Sequence, residues 1–505
     1  MQQLDYRTYL DKVRACWLGK NVGGTLGGPF ESMQGAVDLD FYTHDIAKGV
    51  LPNDDLDLQL VWLIAAEREG RKVNAETLAN YWLTYIVPDW SEYGFGKRNL
   101  RAGLLPSVSG GYENDFRESN GCWIRSEIWA CLAPGRPDIA VKYAYEDAIV
   151  DHWGEGVYAE IFCAALQSAA FVESDMEKLI EIGLSYIPKS CATAGAIRYV
   201  QELVKDPSLD WKNARKKLLQ KYTSSFGMRP APGQEMDPEI PTPIRGFDAP
   251  ANVAIVVLAH YYSKGDFSRA VCIAAGCCED ADCTAGTIAA LYGIRGGTAC
   301  IDQKWLDPIG DEIKTISLDL TKHGDCKTVT ELTARVARLM PTFMEDGVSY
   351  DEEGKIALTV HSGNELFAPG YHPNAEENVF AGVFHADRLC LRAETPMIAV
   401  KALFDTAKVE ADKPLPIDIA VSMRYPQYQN ANWMTLIWHM PPEWEAIGGR
   451  ESTIVIRDYW AGDQVFSTGI IPHELKAGRY EITLEIRQPS NPSRMYIPFT
   501  FMNTL

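Results

Sequence analysis

The sequence predicts a multidomain α and β chain: an all-α domain over residues 1–345, then a β-rich accessory domain over residues 346–505 with the strand pattern of a sandwich. Three observations predict it. The chain has 505 residues, enough for two or three domains and a large core. Its apolar residues recur with helical period before about residue 345. After about residue 350 they alternate as in strands.

In the first region Tyr9, Leu10, Val13, Trp17, Leu18 and Val22 share one helix face. The stretch Asp55 to Glu69 carries Leu56, Leu58, Leu60, Trp62, Leu63 and Ala66, apolar enough for a buried helix. Val157 to Val172 is alanine-rich, as closely packed helices often are, and Asn252 to His260, Phe267 to Ala275 and Cys283 to Tyr292 read the same way. No strand run is evident here, which predicts helices packed on helices. Phe226 to Pro250 carries six prolines and predicts a long ordered loop of functional kind. In the second region Ile356–Val360, Ile417–Val421, Thr453–Ile456 and Tyr480–Ile486 are short strand-like runs, separated by turns such as Gly448-Gly449 and Ala477-Gly478. Its aromatics Tyr425, Tyr428, Trp433, Trp438, Trp444, Tyr459 and Trp460 are read first as core and packing face, second as a sugar-binding surface.

Charge narrows the function classes. With 48 basic and 68 acidic side chains the net charge is -20, which disfavours nucleic acid as a partner. The longest strongly apolar run, Val253 to Ala259, is too short to span a membrane. The N-terminus lacks the basic stretch and apolar core of a secretion signal. The 12 cysteines form no Cys-x-x-Cys pair. Reduced, buried thiols in a cytoplasmic protein are expected.

Four segments could carry chemistry. Asn53-Asp54-Asp55-Leu56-Asp57 precedes an apolar helix; acids there can cap helix amides or hold a metal. Glu279-Asp280-Ala281-Asp282-Cys283 opens another helix. Two aspartates at i and i+2 share no helix face, yet in a turn they can converge, and three acids in four positions repel one another until a divalent cation joins them. Mg²⁺ suits such hard oxygen ligands. A glycine-rich run, Gly19, Gly23-Gly24 and Gly27-Gly28-Pro29-Phe30-Glu31, follows an apolar helix and ends on an acid able to serve as a base; a helix exit with a solvated glutamate explains it equally. Asp151-His152-Trp153-Gly154-Glu155-Gly156 lies before the alanine-rich helix, where a turn can present amides to a ligand and His152 a ring nitrogen; a histidine satisfied within the fold is the plainer reading.

In this order and spacing the four segments resemble the ADP-ribosylglycohydrolase family, with the dinitrogenase-reductase-activating glycohydrolase fold, over about residues 8 to 340. The resemblance implies an all-α bundle with two Mg²⁺ ions, Mn²⁺ being the alternative. It implies Asp54, Asp55, Asp280 and Asp282 as metal ligands, with Asn53 and Cys283 at positions where the family carries hydroxyl ligands. It implies catalytic roles for Glu31, Asp54 and Asp55, and a substrate loop at His152, Gly154, Glu155 and Gly156. Leu56 and Ala281 replace threonines, which marks an Asp-x-Asp-Cys branch. The expected activity is hydrolysis of a glycosidic bond, first the N-glycosidic bond of an ADP-ribosyl or other ribosyl substrate, next an O-glycoside. The partner is then a small-molecule or ADP-ribosylated substrate, and homo-oligomerisation is left open. A ligand-binding protein of the same fold without activity is the contrasting class. A terpene-synthase-like reading of Asn53–Asp57 leaves the Asp280 cluster unexplained.

Overall fold

The computed structural model describes residues 1–320, 326–345, 347–350, 354–424, 432–456, 463–488 and 494–503. The chain forms two compact units. One comprises residues 1–95 and 115–384, the other residues 96–114 and 385–505.

The first unit is built of helices, and the predicted helical segments fall on Tyr6–Gly27, Asp54–Glu69, Glu155–Ala169, Ala249–Ser263, Phe267–Gly276 and Ala281–Gly296, with Val157–Val172 running three residues past its helix. The helix Ala281–Gly296 is buried from Ala281 to Ile294, so it forms the centre of the unit rather than a surface. Against it, antiparallel, lies Tyr6–Gly27. Small residues recurring every four positions bring the two backbones together. A Cβ on Gly19 would stand 2.4 Å from the Ala289 carbonyl oxygen, one on Gly23 2.2 Å from that of Ala285, and one on Gly27 2.3 Å from that of Ala281. The glycines therefore belong to the helix, where the sequence reading placed them after it. Glycine weakens an isolated helix by about 1 kcal/mol each; here backbone contact at three successive glycines offsets that. Gly23→Ala should force the helices apart and destabilise the protein by about 1–3 kcal/mol, as overpacking does. A denaturation midpoint unchanged from the parent would refute this packing role.

The first unit also holds short strands. Gln2–Asp5 pairs antiparallel with Ile356–Val360, which pairs with Val348–Tyr350, and Met33–Gln34 pairs in parallel with Arg229–Pro230. The expectation of no strands before residue 345 is corrected accordingly. Two- to four-residue strands are too short to show alternation. The run Ile356–Val360 forms a strand as expected and belongs to the compact unit that comprises residues 1–95 and 115–384. Strand pairing with the N-terminus, distant in sequence, draws this segment across.

The second unit contains two antiparallel sheets. One has five strands, in the order Glu445–Ile447, Gln464–Ile471, Leu415–Met423, Ile398–Phe404 and Leu389–Glu394. The other has four, in the order Glu451–Ile456, Asn432–His439, Gly478–Arg487 and Arg494–Asn503. Phe404 of the first sheet lies 5.6 Å, between ring centroids, from Phe499 of the second, and Trp438 lies 5.5 Å from Phe499. Trp438 and Trp444 are buried, while Trp433 is 59% exposed. Tyr425, Tyr428, Tyr459 and Trp460 lie outside the described residues. No helix among the described residues is long and apolar enough to cross a membrane. All twelve cysteines are free thiols.

Candidate metal centre and cleft

Three helix ends meet in the first unit. The helix Tyr6–Gly27 runs on through the short turn Gly28–Phe30, which Glu31 closes. Antiparallel packing puts this end beside the start of Ala281–Gly296, whose N-terminal position is Asp280 and whose first turn holds Asp282. The third end is the start of Asp54–Glu69. Its N-terminal residue Asn53 fits against Gly24, where a Cβ would come within 2.0 Å of Asn53 Nδ2.

Local braces fix these ends. Asn53 Oδ1 accepts the Asp55 amide at 2.7 Å and so caps its helix. Ser32 N donates to the Glu279 carbonyl and Glu279 N to the Met33 carbonyl, each at 2.8 Å, tying the segment after Glu31 to the turn before Asp280. Cys278 and Glu279 take φ near +60° in that turn, a costly conformation that the braces hold. Glu279 itself turns away to Arg215, 2.9 Å from Oε1. Asn120 Nδ2 donates to Asp280 Oδ2 at 2.7 Å.

The outcome is an acid cluster. Ligand atoms of Glu31, Asp280 and Asp282 lie within 4.8 Å of one another, as do those of Asp55, Asp282 and Cys283. Asp282 belongs to both groups. It is 6% exposed, and its Oδ1 is buried with no hydrogen-bond partner among the described residues. Cys283 Sγ donates to Asp55 Oδ1 at 3.2 Å. Tyr93 donates to Asp54 Oδ2 at 3.0 Å. A buried cation faces the cluster: Lys20 Nζ lies 3.3 Å from Asp55 Oδ2 and 3.2 Å from Glu127 Oε1.

Electrostatics follow from this crowding. Burial first, then Asp54 and Asp55, push Glu31 up to about 7. Burial and Asp55 push Asp54 to about 6. Burial, Glu31 and Asp55 hold Asp280 and Asp282 well above the carboxylate range. Such a set is unstable as five anions and is relieved by protons or by a cation. A divalent ion fits the donors: carboxylate oxygens dominate, and the unpartnered Asp282 oxygen faces them.

A pH dependence follows. The folded protein binds protons at Glu31 and Asp54 more tightly than the unfolded chain, whose values are near 4.5 and 3.8. Their contribution to stability is complete below those unfolded values and is lost as pH rises through about 6 and about 7. The metal-free protein should gain thermal stability relative to Glu31→Gln as pH falls from about 8 to about 5. A divalent ion at pH about 8 should restore stability without protons. A parent-minus-variant difference in Tm that is flat with pH would refute the cluster's electrostatics.

The cluster lines a cleft of about 630 Å³, with Glu31, Asp54, Asp280, Asp282 and Cys283 in its wall. Trp90, Phe116, Phe226 and Met228 add apolar lining. Arg245 completes the lining, its guanidinium 4.7 Å from the Phe116 ring centre. Phe226, Met228 and Arg245 come from the proline-rich loop.

The structure thus brings together Glu31, Asp54, Asp55, Asp280, Asp282 and Cys283 from the sequence-derived set. It gives Asn53 a capping bond instead. It places Glu31 among the ligand atoms, beside Asp280 and Asp282. The loop His152–Gly156 does not line the cleft. Glu155 accepts the amides of Ala192 and Thr193, both at 2.8 Å, because the helix Ala192–Leu203 starts there with unsatisfied donors. Gly154 takes φ +59° to begin the helix Glu155–Ala169 against Glu118, and Gly156 packs on His152 and the Arg117 carbonyl. His152 is fully buried, with Nδ1 3.0 Å from Asp151 Oδ1 and Nε2 3.3 Å from Ser119 Oγ.

That contact leads to a residue the sequence reading missed. Ser119 Oγ donates to Glu92 Oε2 at 2.9 Å, and Glu92 lines the cleft. Burial pushes Glu92 up to about 7, against the pull of His152. Nothing in the run Asp89-Trp90-Ser91-Glu92 distinguishes it from an ordinary helix start.

Residues 5–337 match the sequence profile of a family described as ADP-ribosylglycohydrolase. Comparison with curated proteins gives no match. Among solved structures the chain is similar to an "ADP-ribosylglycohydrolase-related protein complex", at 19% identity and a TM-score of 0.42, over 67% of this chain and 100% of that one.

Proposed function

The chain belongs to the ADP-ribosylglycohydrolase family, a family of hydrolases, and from that premise we propose that it hydrolyses a glycosidic bond with the help of divalent ions. The observation that carries this reading is the convergence of acids from three helix ends on one cleft, around a buried Asp282 oxygen without a partner. Asp54, Asp55, Asp280 and Asp282, with Glu31, would hold Mg²⁺ or Mn²⁺. When bound, such ions hold sugar hydroxyls and lower the pKa of water.

The residues supply the rest. Bond cleavage at an anomeric carbon develops positive charge on the sugar, which an acid-lined floor favours. Glu31 takes a proton from the attacking water as the new C–O bond forms. Glu92, pushed up to about 7 by burial, keeps a protonated fraction near neutral pH and gives its proton to the leaving nitrogen as the C–N bond breaks. Ser119 and His152 position Glu92, so His152 acts from behind the cleft wall. Arg245 in the lining and Arg229, whose Nη2 donates to the Glu31 carbonyl at 3.3 Å, would meet a substrate's phosphates, which the net charge of -20 otherwise repels. Phosphates and an acid-lined floor together favour an ADP-ribosyl substrate over a neutral O-glycoside. Twelve free thiols fit a cytoplasmic setting.

The test is a panel of ADP-ribosylated protein, nucleosides and aryl glycosides, each with Mg²⁺, Mn²⁺ or EDTA. Release of ADP-ribose that EDTA abolishes and Mg²⁺ or Mn²⁺ restores is the expected result. Full turnover in EDTA would overturn the metal reading, and turnover of aryl glycosides alone would overturn the substrate class.

A further inference from the structure

The two acid groups around Asp282 differ in chemistry. Glu31, Asp280 and Asp282 offer oxygen only, whereas Asp55, Asp282 and Cys283 offer two carboxylates and a sulfur. Buried cysteines are generally small inert core residues. Cys283 has a different setting. It is 6% exposed, lines the cleft, and spends its S–H on Asp55 Oδ1 at 3.2 Å, with a carboxylate oxygen of Asp282 within 4.8 Å. An S–H bonded to one carboxylate with a second carboxylate close by marks a place where a cation can replace a proton.

Ligand softness then decides which cation. Mg²⁺ selects oxygen donors and gains little from sulfur, while thiolate favours borderline ions such as Zn²⁺, Co²⁺ and Fe²⁺. We infer that the chain builds two unlike ion positions that share Asp282: an oxygen-only position at Glu31 and Asp280 for Mg²⁺ or Mn²⁺, and a thiolate position at Asp55 and Cys283 for a borderline ion. This rests on the metal reading above and adds the identity of the second ion. Binding there forms a metal–sulfur bond and releases the Cys283 proton to solvent. Lys20 remains on the far oxygen of Asp55, 3.3 Å away, and orients that carboxylate.

Cobalt(II) reports the bond directly. The full-length protein, freed of metal and kept under argon, is titrated with Co²⁺ while near-ultraviolet absorbance and bound metal are followed. A sulfur-to-cobalt charge-transfer band should rise and saturate at one ion per chain. Zn²⁺ should bleach it, and a large excess of Mg²⁺ should not. Cys283→Ser should lose the band yet still bind an ion at the oxygen position, measured as Mn²⁺ uptake, which also shows that the variant is folded. Co²⁺ binding without the band, or a band that survives in Cys283→Ser, overturns the thiolate position and leaves the metal reading standing. Failure of Co²⁺, Mn²⁺ and Mg²⁺ alike to bind overturns both.

Discussion

Asp282→Asn should abolish tight divalent-ion binding and lower kcat/KM for ADP-ribosyl hydrolysis by on the order of 10²–10³-fold, the scale of losing one group that acts on developing charge. The reason is position. Asp282 is the single residue common to both groups of ligand atoms, so neutralising it removes one donor from each. The same change should leave the metal-free fold at least as stable as the parent. Burial, Glu31, Asp55 and Asp280 all raise the cost of the Asp282 charge, and an amide of nearly equal volume removes it. Activity and stability should therefore move in opposite directions, as they do where a site stores unfavourable charge for function. Calorimetric titration with Mn²⁺ and a Tm measured in EDTA check the two halves. Parental Mn²⁺ affinity in the variant would show that Asp282 is no ligand. A marked fall in the metal-free Tm would show that it is a structural residue.

Arg125→Met should cost about 3–5 kcal/mol of stability near pH 7, because it strands buried acids. Arg125 is fully buried. Its Nε donates to Asp147 Oδ1 at 2.9 Å and its Nη2 to Asp151 Oδ1 at 2.7 Å. Burial disfavours the charge on Asp151, but Arg125 and then His152 outweigh it and hold Asp151 below the carboxylate range. Asp147 is pushed to about 6 by burial despite Arg125. Without the guanidinium, both acids lose the cation that makes their charge tolerable. The deficit should shrink as pH falls from about 8 to about 5, since the stranded acids can then take protons. Urea denaturation at the two pH values measures it through the midpoint at constant slope. A deficit that is equal at both would point to lost packing against Trp62 and Trp82, whose rings the guanidinium faces at 5.7 and 5.1 Å. Because Asp151 contacts His152, and His152 reaches Glu92 through Ser119, the variant should also shift the alkaline limb of the pH–rate profile, which a general acid sets.

Much of this was legible in the chain. Helical period and strand alternation located the elements because they report which side of a segment is buried, a property local to that segment. The acid pairs at 54–55 and 280–282 stood out because several like charges in one turn make no sense as capping alone. Glu31 stood out because it ends a glycine run. What the sequence could not decide was convergence and partnership, since both depend on residues far apart in the chain. The stripe Gly19, Gly23, Gly27 reads locally as a weak helix; only the facing Ala281–Gly296 backbone makes it the contact that sets Glu31 beside Asp280 and Asp282. Glu155 reads as a binding residue until the distant amides of Ala192 and Thr193 occupy it, and Asn53 as a ligand until its oxygen caps Asp55. Glu92 reads as nothing until Ser119 and the cleft surround it. Sequence fixes which groups are present and which face each segment buries; tertiary packing decides which groups meet, because an orphan donor or a buried charge binds whatever partner the fold brings within reach.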